Sequence, residues 1–159
     1  MKYYQAPWGK LLVATSSLFS LTCLVPAAIA FKHGGSLSWL GLALLTLVFV
    51  CALFTIRGYT ITPDSILVHR LFWATRLPRV DLQSAQFEPE AMRRSLRTFG
   101  NGGAFSFSGH SRSKLLGAYR ALATDRHQTV VLRYGGRTIV VSPSSPEDFA
   151  QDLNPHGTV

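Results

Sequence analysis

The stretch "TVVLRYGGRTIVVSP", Thr129 to Pro143, decides the fold class of the larger part of this chain. Two short runs of β-branched and aliphatic residues flank Gly135 and Gly136. A two-glycine connection predicts an antiparallel β-hairpin, because primed turns need positive φ angles that glycine adopts readily. We therefore expect a β-rich fold around this hairpin.

Outward from the hairpin, short alternating runs broken by turn residues continue back to Arg57. "RGYTI" and "SILVHRLF" flank "TPDS", where Pro63-Asp64 suits a tight turn. "ATRLP", "SAQFEP", "AFSFSG" and "LLGAYRALAT" are further strand candidates, whereas "AMRRSLR" lacks alternation and fits a short helix or a loop. The sequence predicts about seven antiparallel strands in a partly open barrel.

The C-terminal segment "SPEDFAQDL" predicts a closing helix. Ser145 is the expected N-cap and Pro146 suits the first helical position. Phe149 and Leu153 are four residues apart and share one helix face. We expect this helix to cover the open end or face of the barrel, and residues 154–159 to form a short tail.

Two uncharged apolar segments precede the β region, Leu11–Phe31 and Leu37–Ile56. At about 1.5 Å per residue each reaches roughly 30 Å, the thickness of a bilayer's hydrocarbon core. The five residues Lys32–Ser36 connect them. The sequence thus predicts a two-helix transmembrane hairpin at 1–56 and a separate domain at 57–153.

The basic residues near the two segments predict the orientation of the hairpin. Lys2 and Lys10 precede the first segment, Arg57 follows the second, and the connecting turn carries Lys32 alone. By the positive-inside rule both termini are expected in the cytoplasm, as in a multi-pass protein of the bacterial cytoplasmic membrane. A cleaved signal peptide ending at "AIA" is the alternative, although its apolar run exceeds the usual 7–15 residues.

A family resemblance agrees with this architecture. "GYTITPDSILVHRLFWATRLP" and "AMRRSLRTFGNGGAFSFSGHSRSKLLGAYRALATD" resemble short membrane-anchored bacterial PH-like (pleckstrin-homology-like) domains of uncharacterised function. The resemblance covers Arg57 to Leu153. It implies a PH-like fold and a non-enzymatic binding role, with no catalytic residues to transfer.

The glycine-rich segment within "RTFGNGGAFSFSGH" raises the question of a phosphate loop. Its spacing does not match G-x-G-x-x-G, no G-K-[ST] follows, and the next residues alternate as a strand. We expect turn or bulge conformations at a strand entrance, or the lip of a partner or ligand groove. The candidate lip residues are Gly100, Asn101, Gly102 and Gly103.

A basic cluster without any acidic residue lies between positions 93 and 120. Three interpretations remain open: a solvated basic face, contact with anionic lipid headgroups at the inner leaflet, and contact with an acidic protein. The turn "TPDS" is short and acidic, which departs from phosphoinositide-binding PH domains. The candidate contact residues are Arg93, Arg94, Arg97, Arg112, Lys114 and Arg120.

The remaining polar residues do not form a catalytic pattern. The five histidines are scattered without metal-ligand spacing, and Glu88 and Glu90 flank Pro89 with no expected pocket. We therefore expect no enzyme, cofactor, metal or nucleic acid. The predicted function is a membrane-tethered scaffold for protein assembly, by a partner or by self-association, with an anionic-lipid sensor as the alternative and an enzyme of unknown type third.

Overall fold

The computed structural model describes residues 1–93, 95–102, 104–113 and 116–154, and for 96–102 it describes the backbone. Its elements follow in chain order: β1 (Lys2–Gln5), α1 (Lys10–His33), α2 (Leu37–Leu53), β2 (Ile56–Ile61), β3 (Ser65–Arg70), β4 (Ala74–Pro78), β5 (Leu82–Phe87), β6 (Leu96–Gly102), β7 (Phe107–Ser113), β8 (Gly117–Ala123), β9 (Val130–Tyr134), β10 (Thr138–Val141) and α3 (Pro146–Leu153).

The strands form two sheets. The first has the order β1-β2-β3-β4 and the second the order β5-β9-β10-β8-β7-β6. The described chain therefore has ten strands where the sequence predicted about seven, and β8 pairs with β10 in parallel, so the expected all-antiparallel arrangement is wrong. Neither sheet closes into a barrel over its described strands. The fold is mainly β, with two N-terminal helices and one C-terminal helix.

The hairpin on which the fold prediction rested is confirmed. β9 and β10 pair antiparallel from Thr138 opposite Arg133 to Val141 opposite Val130. The Tyr134 amide donates to the Arg137 carbonyl at 2.9 Å, which closes the two-glycine turn. Upstream, "AFSFSG" becomes a strand only from Phe107, because residues 104–106 form a bend.

The first core lies between the two sheets and under α3. Phe149 of α3 is fully buried and meets the rings of Tyr4 and Tyr59 edge-on, at centroid distances of 5.1 and 6.0 Å. Pro146 opens α3 as expected, whereas the Ser145 side chain makes no capping hydrogen bond. The amphipathic helix thus covers apolar side chains of both sheets at once.

The second core lies on the other face of the second, six-stranded sheet. Val131 and Val140 point into it, and their strand neighbours Val130, Leu132 and Ile139 point into the first core. Strands buried on both faces have near-continuous apolar sequences, which is why "TVVL" and "TIVV" do not alternate. Leu12 from the first turn of α1 is fully buried in this second core.

Residues before Arg57 therefore contribute to the β domain. β1 pairs antiparallel with β2, from Lys2 opposite Ile61 to Gln5 opposite Gly58. The sequence prediction placed both β1 and Leu12 within the membrane-anchor segment, without a role in the fold of the domain. Their partners are tens of residues away, so no local pattern marks them.

Helices α1 and α2 form an antiparallel hairpin that packs along its length. Gly34 and Gly35 turn the chain with φ of 70° and 62°, a left-handed conformation that favours glycine. By length and composition alone, α1 is the helix of the described chain that is long and apolar enough to cross a membrane. The α2 helix ends at Leu53, short of the predicted Ile56, because Ile56 is drawn into β2 and fully buried.

Candidate functional site

The junction between α1 and the β domain is held by hydrogen bonds and by packing. The Gly9 amide donates to the Thr124 carbonyl at 3.2 Å, and the Thr124 hydroxyl donates to the Pro7 carbonyl at 2.7 Å. One helical turn beyond Leu12, the Ser16 hydroxyl accepts a hydrogen bond from the Phe105 amide at 2.8 Å. The first two turns of α1 are thus part of the domain, and the helix leaves it in a fixed direction.

Phe105 is the contact that the β6–β7 connection makes with α1. It has a φ of 66°, the only positive φ at a non-glycine residue in the described chain. Its ring meets the ring of Trp8 edge-on at 6.2 Å. Left-handed φ costs roughly 1–2 kcal/mol for such a residue, so these contacts must hold this conformation against the strain.

Arg70 forms a second attachment of the helical hairpin to the β domain, at the end of α2. Its Nη1 donates to the Phe54 carbonyl at 2.9 Å, and its guanidinium lies 5.5 Å from the Phe54 ring centroid. It also lies 6.0 Å from the ring of Trp73 and within 3.5 Å of the Ser108 hydroxyl. Burial, and secondly the positive charge of Arg120, lower the pKa of Arg70. A buried arginine therefore joins the end of α2 to both sheets.

The β3–β4 turn that follows Arg70 is unusually apolar. The Arg70 amide donates to the Trp73 carbonyl at 2.8 Å, which leaves Leu71 and Phe72 as a two-residue loop. Leu71, Phe72 and Trp73 are all exposed, and Phe72 retains 74% of its accessible surface. The edge of the Trp73 ring meets Phe54 at 5.4 Å. Sequence reasoning missed this turn, because the predicted strand "SILVHRLF" continued through Leu71 and Phe72.

The predicted basic cluster is divided among several surroundings. Arg93 pairs with Glu90 at 2.6 Å, and this ion pair raises the pKa of Arg93. Arg112 and Arg120 are exposed on β7 and β8, and no carboxylate pairs with either among the described residues. The backbone of Arg97 lies on β6 opposite Ser111. Arg94 and Lys114 lie outside the described residues.

A groove beside α1 contains a basic residue that the sequence prediction did not include. Arg93 and Arg126 line this groove of about 370 Å³ together with His127 and Leu11. Arg126 also donates to the Met92 carbonyl at 2.9 Å. Arg126 follows Asp125, just beyond the acid-free stretch 93–120, and so it was not counted with the cluster.

The glycine-rich segment is an edge strand over its described part. Gly100, Asn101 and Gly102 end β6 and pair with Gly109, Ser108 and Phe107 of β7, which differs from the expected turn at a strand entrance. Gly103 lies outside the described residues. The segment leads into Phe105, so it lies next to the α1 junction.

Two tyrosines connect distant parts of the fold. The Tyr59 hydroxyl donates to the Leu122 carbonyl at 2.7 Å and accepts from the Ser142 amide at 3.2 Å, and burial raises the pKa of Tyr59 to about 12. The Tyr4 hydroxyl donates to Asp152 at 2.5 Å, and Lys2 pairs with the same carboxylate at 2.9 Å. These two contacts, Tyr4 first, lower the pKa of Asp152.

The edges of the two sheets differ in how they are protected. The Asn154 side chain bonds both backbone groups of Ala85, at 3.2 and 2.5 Å, and so closes the edge of β5. Among the described strands, none pairs with the outer side of β4. In an antiparallel pair, hydrogen-bonded and non-hydrogen-bonded residue pairs alternate. Arg70 and Trp73 are a hydrogen-bonded pair, so Arg76, three positions after Trp73 on β4, belongs to a non-hydrogen-bonded pair. Its backbone amide and carbonyl therefore point away from β3. The free side of β4 therefore presents an unpaired amide and carbonyl at Arg76.

The carboxylates weighed as a catalytic pair are engaged separately. Glu88 pairs with Arg133 at 3.2 Å and Glu90 with Arg93. Within the described ranges, no three His, Cys, Asp or Glu side chains come together as a metal site.

The comparison with protein families gives one match. The bacterial PH domain family matches residues 57–157, which is more than half of the chain and begins inside β2. Neither the search of curated proteins nor the search of solved structures found a match. The chain belongs to the bacterial PH domain family.

Proposed function

We propose that this protein is a PH-like binding module held at the inner face of the bacterial cytoplasmic membrane by the α1–α2 hairpin, where it assembles with a protein partner. One observation carries the proposal: a bacterial PH domain is joined to a helical hairpin, and the apolar side chains of that hairpin are exposed. PH-like domains are typically binding modules, and no described constellation supplies catalysis, so we expect no enzymatic activity.

The membrane tether is supported by the surface of α2. Large exposed apolar side chains occur all around this helix, among them Trp39, Leu42, Leu45, Phe49 and Val50, and Gly41 is its one buried residue. A helix that is apolar on every side is stable inside a large core or inside a bilayer. Since protein covers little of α2, lipid is the environment that accounts for its composition.

The orientation is supported by charge at the domain end of the hairpin. Lys10 begins α1. Arg57 follows α2 in the sequence, and Arg70 contacts Phe54 at the end of α2. The opposite end carries Lys32 and His33. This bias favours the domain and both termini on the cytoplasmic side.

For the partner, the free edge of β4 offers the best-defined surface. An extended peptide can add to such an edge through backbone hydrogen bonds. Pro78 at the next outward position, and the charge of Arg76, are features by which proteins limit indiscriminate pairing of edges. A specific partner strand at β4 is therefore the binding mode that we propose, and a second copy of this chain is one candidate for it.

Two experiments on the full-length chain test the tether and the binding mode. In the first, membranes are washed with alkaline carbonate and then extracted with detergent. Release by carbonate would contradict the tether. In the second, proteins are co-purified from detergent extracts with the wild type, Arg76→Pro and Arg76→Ala. Proline removes the outward amide and alanine only the charge, so we expect the partner to be lost with proline and retained with alanine. Equal recovery with both variants would contradict edge pairing.

The alternative function is contact with anionic lipid headgroups. It is favoured by Arg112 and Arg120, which are exposed without a described carboxylate partner. Arg126 adds a positive charge to the groove in which Arg93 is paired with Glu90. Each basic residue near an anionic surface contributes about 1 kcal/mol. Lipid analysis of the purified protein should then show enrichment of anionic lipid that is reduced in the Arg112→Gln/Arg120→Gln variant. Unchanged lipid composition would exclude a role for these two residues.

A further inference from the structure

The turn between β3 and β4 exposes three consecutive apolar side chains. We propose that Leu71, Phe72 and Trp73 insert into the interfacial layer of the bilayer that holds the α1–α2 hairpin, and so fix the tilt of the domain on the membrane. This inference rests on the proposed tether and adds a site within the domain itself.

The composition of the turn is the first argument. Turns are dominated by Gly, Pro, Asn, Asp and Ser. Here Leu71 and Phe72 occupy the two loop positions and Trp73 follows, with all three exposed. No packing within the described protein explains an apolar loop tip. An amphipathic ring such as that of tryptophan is favoured where hydrocarbon meets water.

The position of the turn is the second argument. Arg70 bonds the Phe54 carbonyl at 2.9 Å, and Phe54 is the C-cap residue directly after α2. The Trp73 ring packs edge-on against Phe54 at 5.4 Å. The turn is thereby held beside the point where α2 leaves the bilayer, and its apolar surface is continuous with that of the hairpin.

The length of α2 is the third argument. Its 17 residues span about 25 Å at about 1.5 Å per residue, less than the roughly 30 Å of a typical hydrocarbon core. A short span draws the flanking groups toward the lipid or thins the bilayer locally. Either response brings the Arg70–Trp73 turn to the level of the headgroups and upper acyl chains.

The chain offers a matched control position. Val80 is also an exposed apolar residue in a turn, with 88% of its surface accessible, but it lies beyond the other end of β4. The five residues of β4 span about 17 Å at about 3.4 Å per residue. Residues 72 and 80 thus report on the two ends of one strand, and the inference predicts different environments for them.

The test uses single-tryptophan, full-length chains in liposomes made with lipids brominated near the top of the acyl chain. One chain carries Phe72→Trp and another Val80→Trp, each with all three native tryptophans changed to phenylalanine. A third chain retains Trp39 alone to report on the hairpin, and a fourth retains Trp73 alone, so that the native turn is also read. Circular dichroism verifies that each chain folds.

We expect the bromolipid to quench tryptophan at 72 several-fold more strongly than at 80, and iodide in the water to show the opposite order. Quenching at Trp73 should resemble that at 72. If 72 is quenched like 80 while Trp39 is quenched by lipid, the inference fails and the tether stands. If 72 is shielded from both quenchers, a second protein copy covers the turn, which also overturns the inference. If the bromolipid leaves Trp39 unquenched, the tether and this inference both fail.

Discussion

The helical hairpin and the β domain place similar side chains in opposite surroundings. Phe149 in α3 is fully buried against two tyrosine rings, whereas Phe49 in α2 keeps 60% of its surface exposed. In the domain, apolar residues turn inward to two cores. In the hairpin they turn outward, and only small residues such as Ala27, Ala30 and Gly41 lie buried between the helices. The difference agrees with the membrane tether proposed for the hairpin.

The comparison also shows that the border between the regions lies inside α1. Leu12 and Ser16 are buried against the domain, while Leu18 and Leu21 are exposed. One continuous helix therefore belongs to the domain for its first two turns and to the hairpin afterwards. Such a helix cannot rotate freely against the domain, so the domain is expected to have a fixed orientation relative to the hairpin.

The largest expected effect separates the two regions most directly. Phe149→Ala should lower the free energy of unfolding by about 3–5 kcal/mol, because it leaves a cavity between the sheets. Phe49→Ala should leave the stability of the domain nearly unchanged, because its ring faces detergent or lipid. Denaturant unfolding in mild detergent, followed by circular dichroism of the β domain, measures both. Equal losses would mean that protein covers Phe49.

A second prediction concerns the buried hydroxyl of Tyr59. Tyr59→Phe leaves the Leu122 carbonyl and the Ser142 amide without their partner and should cost about 1–3 kcal/mol at neutral pH. The raised pKa of Tyr59, about 12 against 10.0, favours the protonated folded form. The stabilisation that comes from the raised pKa of Tyr59 is fully present below pH 10 and is lost as the pH rises through about 12.

The check for Tyr59 is thermal unfolding of both chains between pH 8 and pH 12. The wild type should lose more stability than Tyr59→Phe across the upper part of this range, on the order of 2 kcal/mol. Parallel losses in the two chains would show that Tyr59 does not titrate with a raised pKa.

The interior of the hairpin should be less tolerant of added volume than its outer surface. A Cβ on Gly41 would lie 2.9 Å from the Phe31 ring and 3.1 Å from the Ala27 carbonyl. Gly41→Leu should therefore separate the helices and cost about 1–3 kcal/mol through overpacking. Ala43→Leu on the exposed face is the matched control and should have little effect. Helix separation can be followed by thermal unfolding in detergent, and similar midpoints for the two variants would contradict the packing.

The smallest expected effect is at the exposed contact between β1 and α3. Asp152→Asn weakens the contacts with Tyr4 and Lys2 and should lower the melting temperature by a few degrees at most. In the folded chain the pKa of Asp152 lies below its ordinary value of 3.8. The ionised carboxylate therefore stabilises the fold at pH values above 3.8, and this stabilisation is lost as the pH falls through the pKa of the folded state. Melting curves of the two chains should converge in acid. A constant difference down to pH 2 would show that ionisation of Asp152 is not involved.

Much of the candidate site was beyond the reach of sequence reasoning. The exposure of Arg112 and Arg120 agrees with a charged surface, yet Arg93 is paired with Glu90, and Arg126 joins it in a groove from a different part of the chain. The Arg70 contacts link residues 16 and 38 positions apart. A pattern read along the chain cannot reveal such pairs, because the folded backbone brings them together.

By itself, the sequence determined the features that depend on neighbouring residues. The composition of residues 11–56 predicted an apolar hairpin, Gly135-Gly136 predicted the β9–β10 turn, and Pro146 predicted the start of α3. Local conformational preference and periodicity are sufficient for these.

Only the tertiary structure decided the addition of β1 to the sheet, the parallel pairing of β8 with β10, and the burial of Leu12. It also transferred Ile56 from the predicted span to β2. Each of these outcomes is a choice between a local conformation and a distant partner. The free energy gained by burying an apolar side chain or pairing a strand in the assembled core outweighs the weaker preference of the segment alone.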